Sequence, residues 1–168
     1  MTYDIRISRP HRRALFDLRG DPQALAERLQ DVLPDMPTRP CSLSRKGQSA
    51  LMWLAQARWW LMAPADNEAA LETILLQEPA SHDAAIKLIS DTLAFFTLSG
   101  QDAGVAMSIA CPLDLHDSVF AADSVAQTDA FGVRALVLRE GDDWVLAVEA
   151  SYSAYVETQL LQIIQGAT

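Results

Sequence analysis

Three features of the sequence predict an α+β fold in which one strand–helix–strands–helix unit is used twice, with mainly antiparallel sheets and helices packed on them. Short apolar words recur in the same order about 80 to 85 residues apart. β-rich runs occur in pairs joined by short turns, and each half closes on a stretch with helical spacing. The first recurring word is Ala14-Leu15-Phe16-Asp17-Leu18-Arg19-Gly20, matched by Ala94-Phe95-Phe96-Thr97-Leu98-Ser99-Gly100. Next, Trp60-Leu61-Met62-Ala63 aligns with Trp144-Val145-Leu146-Ala147, and Leu71-Glu72-Thr73 with Val156-Glu157-Thr158. A drift of a few residues in the offset is what small loop insertions produce. The chain therefore reads as a single domain of two pseudo-repeats, about 12–78 and 84–165.

The elements of the first repeat follow in order. Ala14 to Leu18 alternates poorly and reads as a strand buried on both faces. It ends at Gly20, where Asp21 suits a helix cap and Pro22 the first helical position. Leu25, Leu29 and Val32 then form a stripe one helix face wide. Pro34, Pro37 and Pro40 end that helix and impose an extended loop. Strands Ala50–Leu54 and Arg58–Met62 follow, joined by Ala55-Gln56-Ala57. Pro64 closes the second strand, and a helix carrying Leu71, Ile74 and Leu75 completes the unit.

In the second repeat, Ala85–Ile89 reads as an extra leading strand before Leu93–Leu98. A helix opens at Gly100-Gln101, runs through Val105 and Ile109, and stops at Pro112. Val133–Arg139 and Trp144–Glu149 are strands joined by Glu140-Gly141-Asp142-Asp143, a hairpin signal. The last helix marks its core face with Tyr152, Val156, Leu160, Ile163 and Ile164, and Gly166-Ala167-Thr168 is expected to fray.

Composition bounds the function. The chain has 168 residues, 50% hydrophobic and 21% charged, with a formal net charge of −9. With no basic face, it is a poor match to nucleic acid or an anionic membrane. The cationic cluster Arg6, Arg9, His11, Arg12 and Arg13 reads as a solvated N-terminal arm, with docking on an acidic partner as the alternative. No apolar run is long enough to span a bilayer, and the first residues lack the order of a signal peptide, so a cytoplasmic protein is expected. Cys41 and Cys111 read as reduced, interior thiols, and their spacing to the three histidines does not suggest zinc.

No glycine-rich phosphate loop, nucleophile elbow or paired-histidine metal helix is present. The closest nucleophile–base pair is Cys111 and His116, separated by Pro112 and the end of a helix. Around them, Cys111-Pro112-Leu113-Asp114-Leu115-His116 is the most distinctive stretch. Two readings stand for it. In one, Leu113 and Leu115 enter the core while Asp114 and His116 face outward; in the other, the loop presents Leu115 and His116 to a partner. The four tryptophans raise a similar choice, because Trp59 and Trp60 must point to opposite faces of their strand. Trp60, aligned with Trp144, is assigned to the core, and Trp59 to an interface or beneath a helix of its own chain.

These residues resemble the gamma-subunit family of heterotetrameric sarcosine oxidase. The resemblance rests on Leu98-Ser99-Gly100 before a helix, Cys111-Pro112-Leu113-Asp114-Leu115-His116, Phe120 ahead of Ala126-Gln127-Thr128, and Asp142-Asp143-Trp144-Val145-Leu146. Tyr155 in the last helix and, more loosely, Trp53-Leu54 and Trp59 to Pro64 complete it, covering most of residues 45–165. The family implies a fold similar to the folate-binding domain of aminomethyltransferases. It implies a noncatalytic subunit of a complex that oxidatively demethylates sarcosine or a related N-methyl amine. FAD, FMN, NAD and tetrahydrofolate are then expected in the alpha, beta and delta partner subunits. No catalytic, cofactor or metal residue is assigned to this chain, and its expected interface residues are Trp59, Leu115 and His116. The alternative is a free-standing folate-binding-like protein of one-carbon metabolism. That reading needs a carboxylate in a pocket to grip a pterin, for which Asp17, Asp91 and Asp114 are the candidates.

Overall fold

The structure, a computed structural model, describes residues 4–29, 31–76 and 84–166; the expected end of the first repeat at 78 and fraying at 167–168 lie outside them. The chain divides into two compact units, an N-terminal unit of Arg12–Ser90 and a C-terminal unit of Met1–His11 with Asp91–Thr168. Each is a five-stranded antiparallel sheet with two helices, as the α+β pattern predicts.

In the N-terminal unit, β2 (Arg13–Gly20) runs between β5 (Arg58–Pro64) and β6 (Ala84–Leu88), and the sheet continues through β4 (Ser49–Ala55) to β3 (Leu43–Lys46). Ala14 through Leu18 are all buried, which accounts for their nearly unbroken apolar run. Helix α1 (Pro22–Leu29) starts where expected: the Asp21 carboxylate accepts hydrogen bonds from the backbone N–H of Gln23 and Ala24 at 3.0 and 2.9 Å. Leu25 and Leu29 pack onto Phe16, Leu18 and Leu61. Helix α2 (Glu68–Leu76) buries Leu75 but leaves Ile74 exposed, so its core face is narrower than its apolar content suggests.

In the C-terminal unit, β7 (Leu93–Ser99) and β10 (Asp143–Glu149) are central, flanked by β1 (Arg6–Ile7) and by β9 (Val133–Glu140) and β8 (Val125–Ala130). The β9–β10 hairpin forms at the expected place, with Gly141 at φ +64° in its turn. Helices α3 (Ala103–Ala110) and α4 (Ser153–Gly166) cover one face, packing Met107, Val156 and Leu160 against Phe96, Trp144 and Leu146. Gly100, at φ +106°, is required: a Cβ there would lie 2.1 Å from the Asp4 carbonyl oxygen.

The two sheets share one strand order, β3-β4-β5-β2-β6 in one and β8-β9-β10-β7-β1 in the other. Their registers correct the alignment read from the sequence. Leu18 lies opposite Trp59, and its counterpart Leu98 lies opposite Trp144. Trp59, not Trp60, is therefore the equivalent of Trp144, and a slip of one residue in a strand exchanges its faces.

Other expectations are revised as well. Residues 85–89 do not lead the second repeat; β6 pairs with β2 and belongs to the N-terminal unit. The basic N-terminus is not a solvated arm throughout: Ile5 is buried, β1 pairs with β7, and His11 bridges Phe95. Strand β3 and its turn at Gly47 (φ +60°) lie in a stretch read as loop. Cys41 is exposed rather than interior; both cysteines are free thiols.

Candidate functional site

Asp17 occupies the middle of β2, directly across from Trp60 on β5 and Lys87 on β6. Only 5% exposed, it is the most deeply buried carboxylate among the described residues. Its two oxygens accept from Arg19 Nε and Nη2 (2.9 and 2.7 Å), Arg58 Nε and Nη2 (2.9 and 3.3 Å) and the Trp60 indole N–H (3.1 Å). Arg58 also lies over the Trp60 ring, 5.5 Å from its centroid. Burial pushes the carboxyl pKa up, but the hydrogen bonds and charges of Arg58 and Arg19 outweigh it, and the net direction is down. Five donors saturate roughly four lone-pair positions. Asp17 therefore has no capacity left to grip a pterin, whose recognition would require one of these bonds to break. Asp91 is exposed in the turn Ser90–Thr92, and exposed Asp114 accepts from the backbone N–H of His116, an Asx turn. Of the three candidate carboxylates, then, one is buried and saturated and two are exposed.

Trp59 is not a surface anchor either. It is 3% exposed, packs with Leu18, Leu25 and Leu61 beneath its own helix, and stacks on Trp53 across the sheet with ring centroids 6.2 Å apart. The even-and-odd argument for strands correctly separated Trp59 from Trp60: Trp59 takes the second of its two expected places, beneath a helix of its own chain, and Trp60 is buried as expected. Trp60 faces the Asp17 side, where its N–H is used.

The loop after α3 is organised by short-range contacts. Cys111 is buried, its thiol points to the Met107 carbonyl at 3.3 Å, and burial raises its pKa, the reverse of an activated nucleophile. His116 does not reach it: its Nδ1 sits 2.8 Å from the Ser118 hydroxyl and accepts from the Ser118 backbone N–H at 3.3 Å. Leu113 and Leu115 pack against the core, while Asp114 and His116 are exposed. The first of the two readings of this loop thus describes its orientation, and His116 remains available on the surface.

Leu115 also lines a cleft of about 610 Å³ in the C-terminal unit. Its walls come from the N-terminal segment (Asp4, Arg6), the start of α3 (Gly104), the β9–β10 hairpin (Asp142, Asp143) and Arg139, Trp144 and Asp117. Arg139 forms an ion pair with Asp117 and lies over the Trp144 ring at 4.9 Å. Nothing in the sequence pattern signals this cleft, because its wall residues come from four segments brought together by β1–β7 and β7–β10 pairing and by the Asp117–Arg139 ion pair. A second, apolar cleft of about 500 Å³ is lined by Val105, Ile109, Phe131 and Ile163. Among the described residues no cluster of three or more metal-binding side chains occurs.

These features place the chain in a structural class. Its fold is aminomethyltransferase-like: it superposes over 95% of its length on 46% of aminomethyltransferase T of the glycine cleavage system from Bartonella henselae, at 16% identity and a TM-score of 0.72. A heterotetrameric sarcosine oxidase from Corynebacterium sp. U-96, solved with pyrrole 2-carboxylate, matches 97% of this chain and 85% of its own, at 19% identity and a TM-score of 0.80. In sequence, the model of the sarcosine oxidase gamma subunit family matches residues 19–165, and the chain belongs to that family. It is accordingly a protein of the sarcosine oxidase subunit type. No curated protein matches it in sequence. The family match begins well before residue 45, so the resemblance extends through the N-terminal repeat, further than its motifs alone indicate.

Proposed function

We propose that the chain is a noncatalytic accessory subunit of a heterotetrameric sarcosine oxidase, packing against alpha, beta and delta subunits that carry the chemistry. The observation that carries this reading is the family match over residues 19–165. The site geometry supports it, because the buried carboxylate is consumed by internal hydrogen bonds and the cysteine is a buried thiol with a raised pKa. FAD, FMN, NAD and tetrahydrofolate are assigned to the partner subunits, the substrate is sarcosine or a related N-methyl amine, and the complex is cytoplasmic. Among the described residues no helix is long and apolar enough to cross a membrane. On this surface Leu115 and His116 are the interface residues retained from the sequence, while Trp59 is withdrawn because it is buried.

Co-expression with the neighbouring reading frames, capture on this chain, and an absorbance spectrum test the reading. A yellow multi-subunit complex that releases peroxide on addition of sarcosine is the expected result. Colourless elution of the chain alone would overturn it. Omitting this chain from the co-expression should reduce the yield or stability of the flavin-containing subunits without removing their flavin absorbance.

A further inference from the structure

Resting on the accessory-subunit reading, we infer that the cleft beside Trp144 seats an extended basic segment of a partner subunit. A main-chain carbonyl of that segment accepts from the Trp144 indole N–H, and its Lys or Arg side chain reaches Asp142 and Asp143. Two independent observations lead here. The first is an unused donor. Trp144 is only 5% exposed, its ring is engaged by Phe120 and Arg139, and its Nε1 has no hydrogen-bond partner among the described residues. That nitrogen points to the start of α3: a Cβ built on Gly104 would lie 3.8 Å from it, and Gly104 and Trp144 both line the cleft. A tryptophan this deeply seated normally pairs its N–H, and here the side left open to it is the cleft. By contrast, Trp60 gives its N–H to Asp17.

The second observation is charge. Asp4, Asp117, Asp142 and Asp143 line the cleft against Arg6 and Arg139, and Arg139 is already paired with Asp117. One oxygen of the Asp4 carboxylate accepts from the backbone N–H of Gln101 at 3.3 Å. The hairpin carboxylates of Asp142 and Asp143 are left to a ligand, and they select a cation. A second copy of this chain is disfavoured as the occupant, because each copy carries −9. The cleft volume of about 610 Å³ accommodates several residues of extended chain rather than one ion.

Competition during co-expression tests the inference in the assembled complex. Equal amounts of wild-type chain and a variant are expressed with the partner reading frames, and the ratio captured through a tagged partner is read by mass spectrometry. Asp142→Asn with Asp143→Asn should be under-incorporated by about tenfold. The control, Asp66→Asn with Glu72→Gln, makes the same charge change at exposed positions of the N-terminal unit and should incorporate within about twofold of wild type. Trp144→Phe, which keeps the ring and removes the donor, should also be under-incorporated. If that variant does not fold, the aspartate pair decides alone. Equal incorporation of the two double variants would overturn the cleft assignment while leaving the accessory role intact. Failure of the wild-type chain to be captured would overturn the accessory role itself.

Discussion

Each unit builds a cluster from the same three residue types, and the two clusters behave differently. In the N-terminal unit Asp17, Arg58 and Trp60 meet on neighbouring strands; in the C-terminal unit Arg139 and Trp144 on neighbouring strands meet Asp117 from the loop after α3. Both place an arginine over a tryptophan ring. Asp17 sits inside the sheet at 5% exposure with every acceptor position taken, whereas the Asp117 side chain is 82% exposed and makes one ion pair. Trp60 donates its N–H, and Trp144 does not. The lesson is that residue identity does not separate a structural cluster from a recognition surface. Saturation does: a cluster with no spare donor or acceptor holds the fold, and one with spare capacity can hold something else.

The comparison can be broken or sharpened by unfolding measurements. The largest effect is expected at the segment that frames the open cluster. Gly100→Ala combines a left-handed φ with a 2.1 Å approach to the Asp4 backbone, so a loss of about 3 to 4 kcal/mol in urea unfolding is expected. A loss below about 1 kcal/mol would mean that the N-terminal segment yields easily and the cleft is not rigid.

Asp17→Ala comes next. It strands Arg58, Arg19 and the Trp60 N–H, though both arginines remain partly solvated, and about 2 to 3 kcal/mol should be lost. The melting temperature should then fall by roughly 4 to 12 °C. The same site predicts the acid response. Because the folded carboxyl pKa is lowered, the unfolded chain binds the proton more readily, and the stabilisation is complete above the ordinary carboxylate value near pH 4. It is lost as pH falls through the depressed value, and Asp17→Asn should flatten that part of a stability–pH curve. An unchanged slope would show that Asp17 is not the group that senses acid.

Smaller effects distinguish the two tryptophans. Trp60→Phe removes a donor from a buried carboxylate and should cost about 1 kcal/mol more than Trp144→Phe, which leaves no acceptor behind. Equal costs would indicate that the Trp144 N–H is satisfied internally. Smallest of all, Asp117→Ala should change stability by less than about 1 kcal/mol, since its ion pair is largely in solvent. A larger loss would move the Asp117–Arg139–Trp144 cluster into the same structural class as Asp17.

Much of the fold was legible because its signals are local. Asp21-Pro22 announced α1, the Gly141 turn announced the β9–β10 hairpin, and the unbroken run from Ala14 to Leu18 announced a strand buried on both faces. The site was less legible. The short β1 and β3 carry no run long enough to show a period, and β6 reads as a strand without indicating which sheet it joins. Trp60 rather than Trp59 was aligned with Trp144 because matching tryptophan with tryptophan is indifferent to a one-residue slip, whereas pairing with Leu18 is not. Leu115 was identified as a residue of interest by its motif, but its neighbours Arg139, Asp142 and Trp144 in the cleft were not associated with it.

By itself, the sequence determined the α+β class, the repeated order of elements, the caps and hairpin turns, and the family. These depend on dihedral preferences and short-range periodicity, which any stretch of chain carries with it. Only the tertiary structure decided strand partners, register, and which polar groups end up satisfied. Those outcomes depend on segments nearly a hundred residues apart, such as Asp4 and Asp102, exchanging hydrogen bonds. A carboxylate in β2 becomes structural and an indole N–H at the start of β10 stays unpaired for that reason: each outcome is set by what the fold brings within hydrogen-bond reach of it.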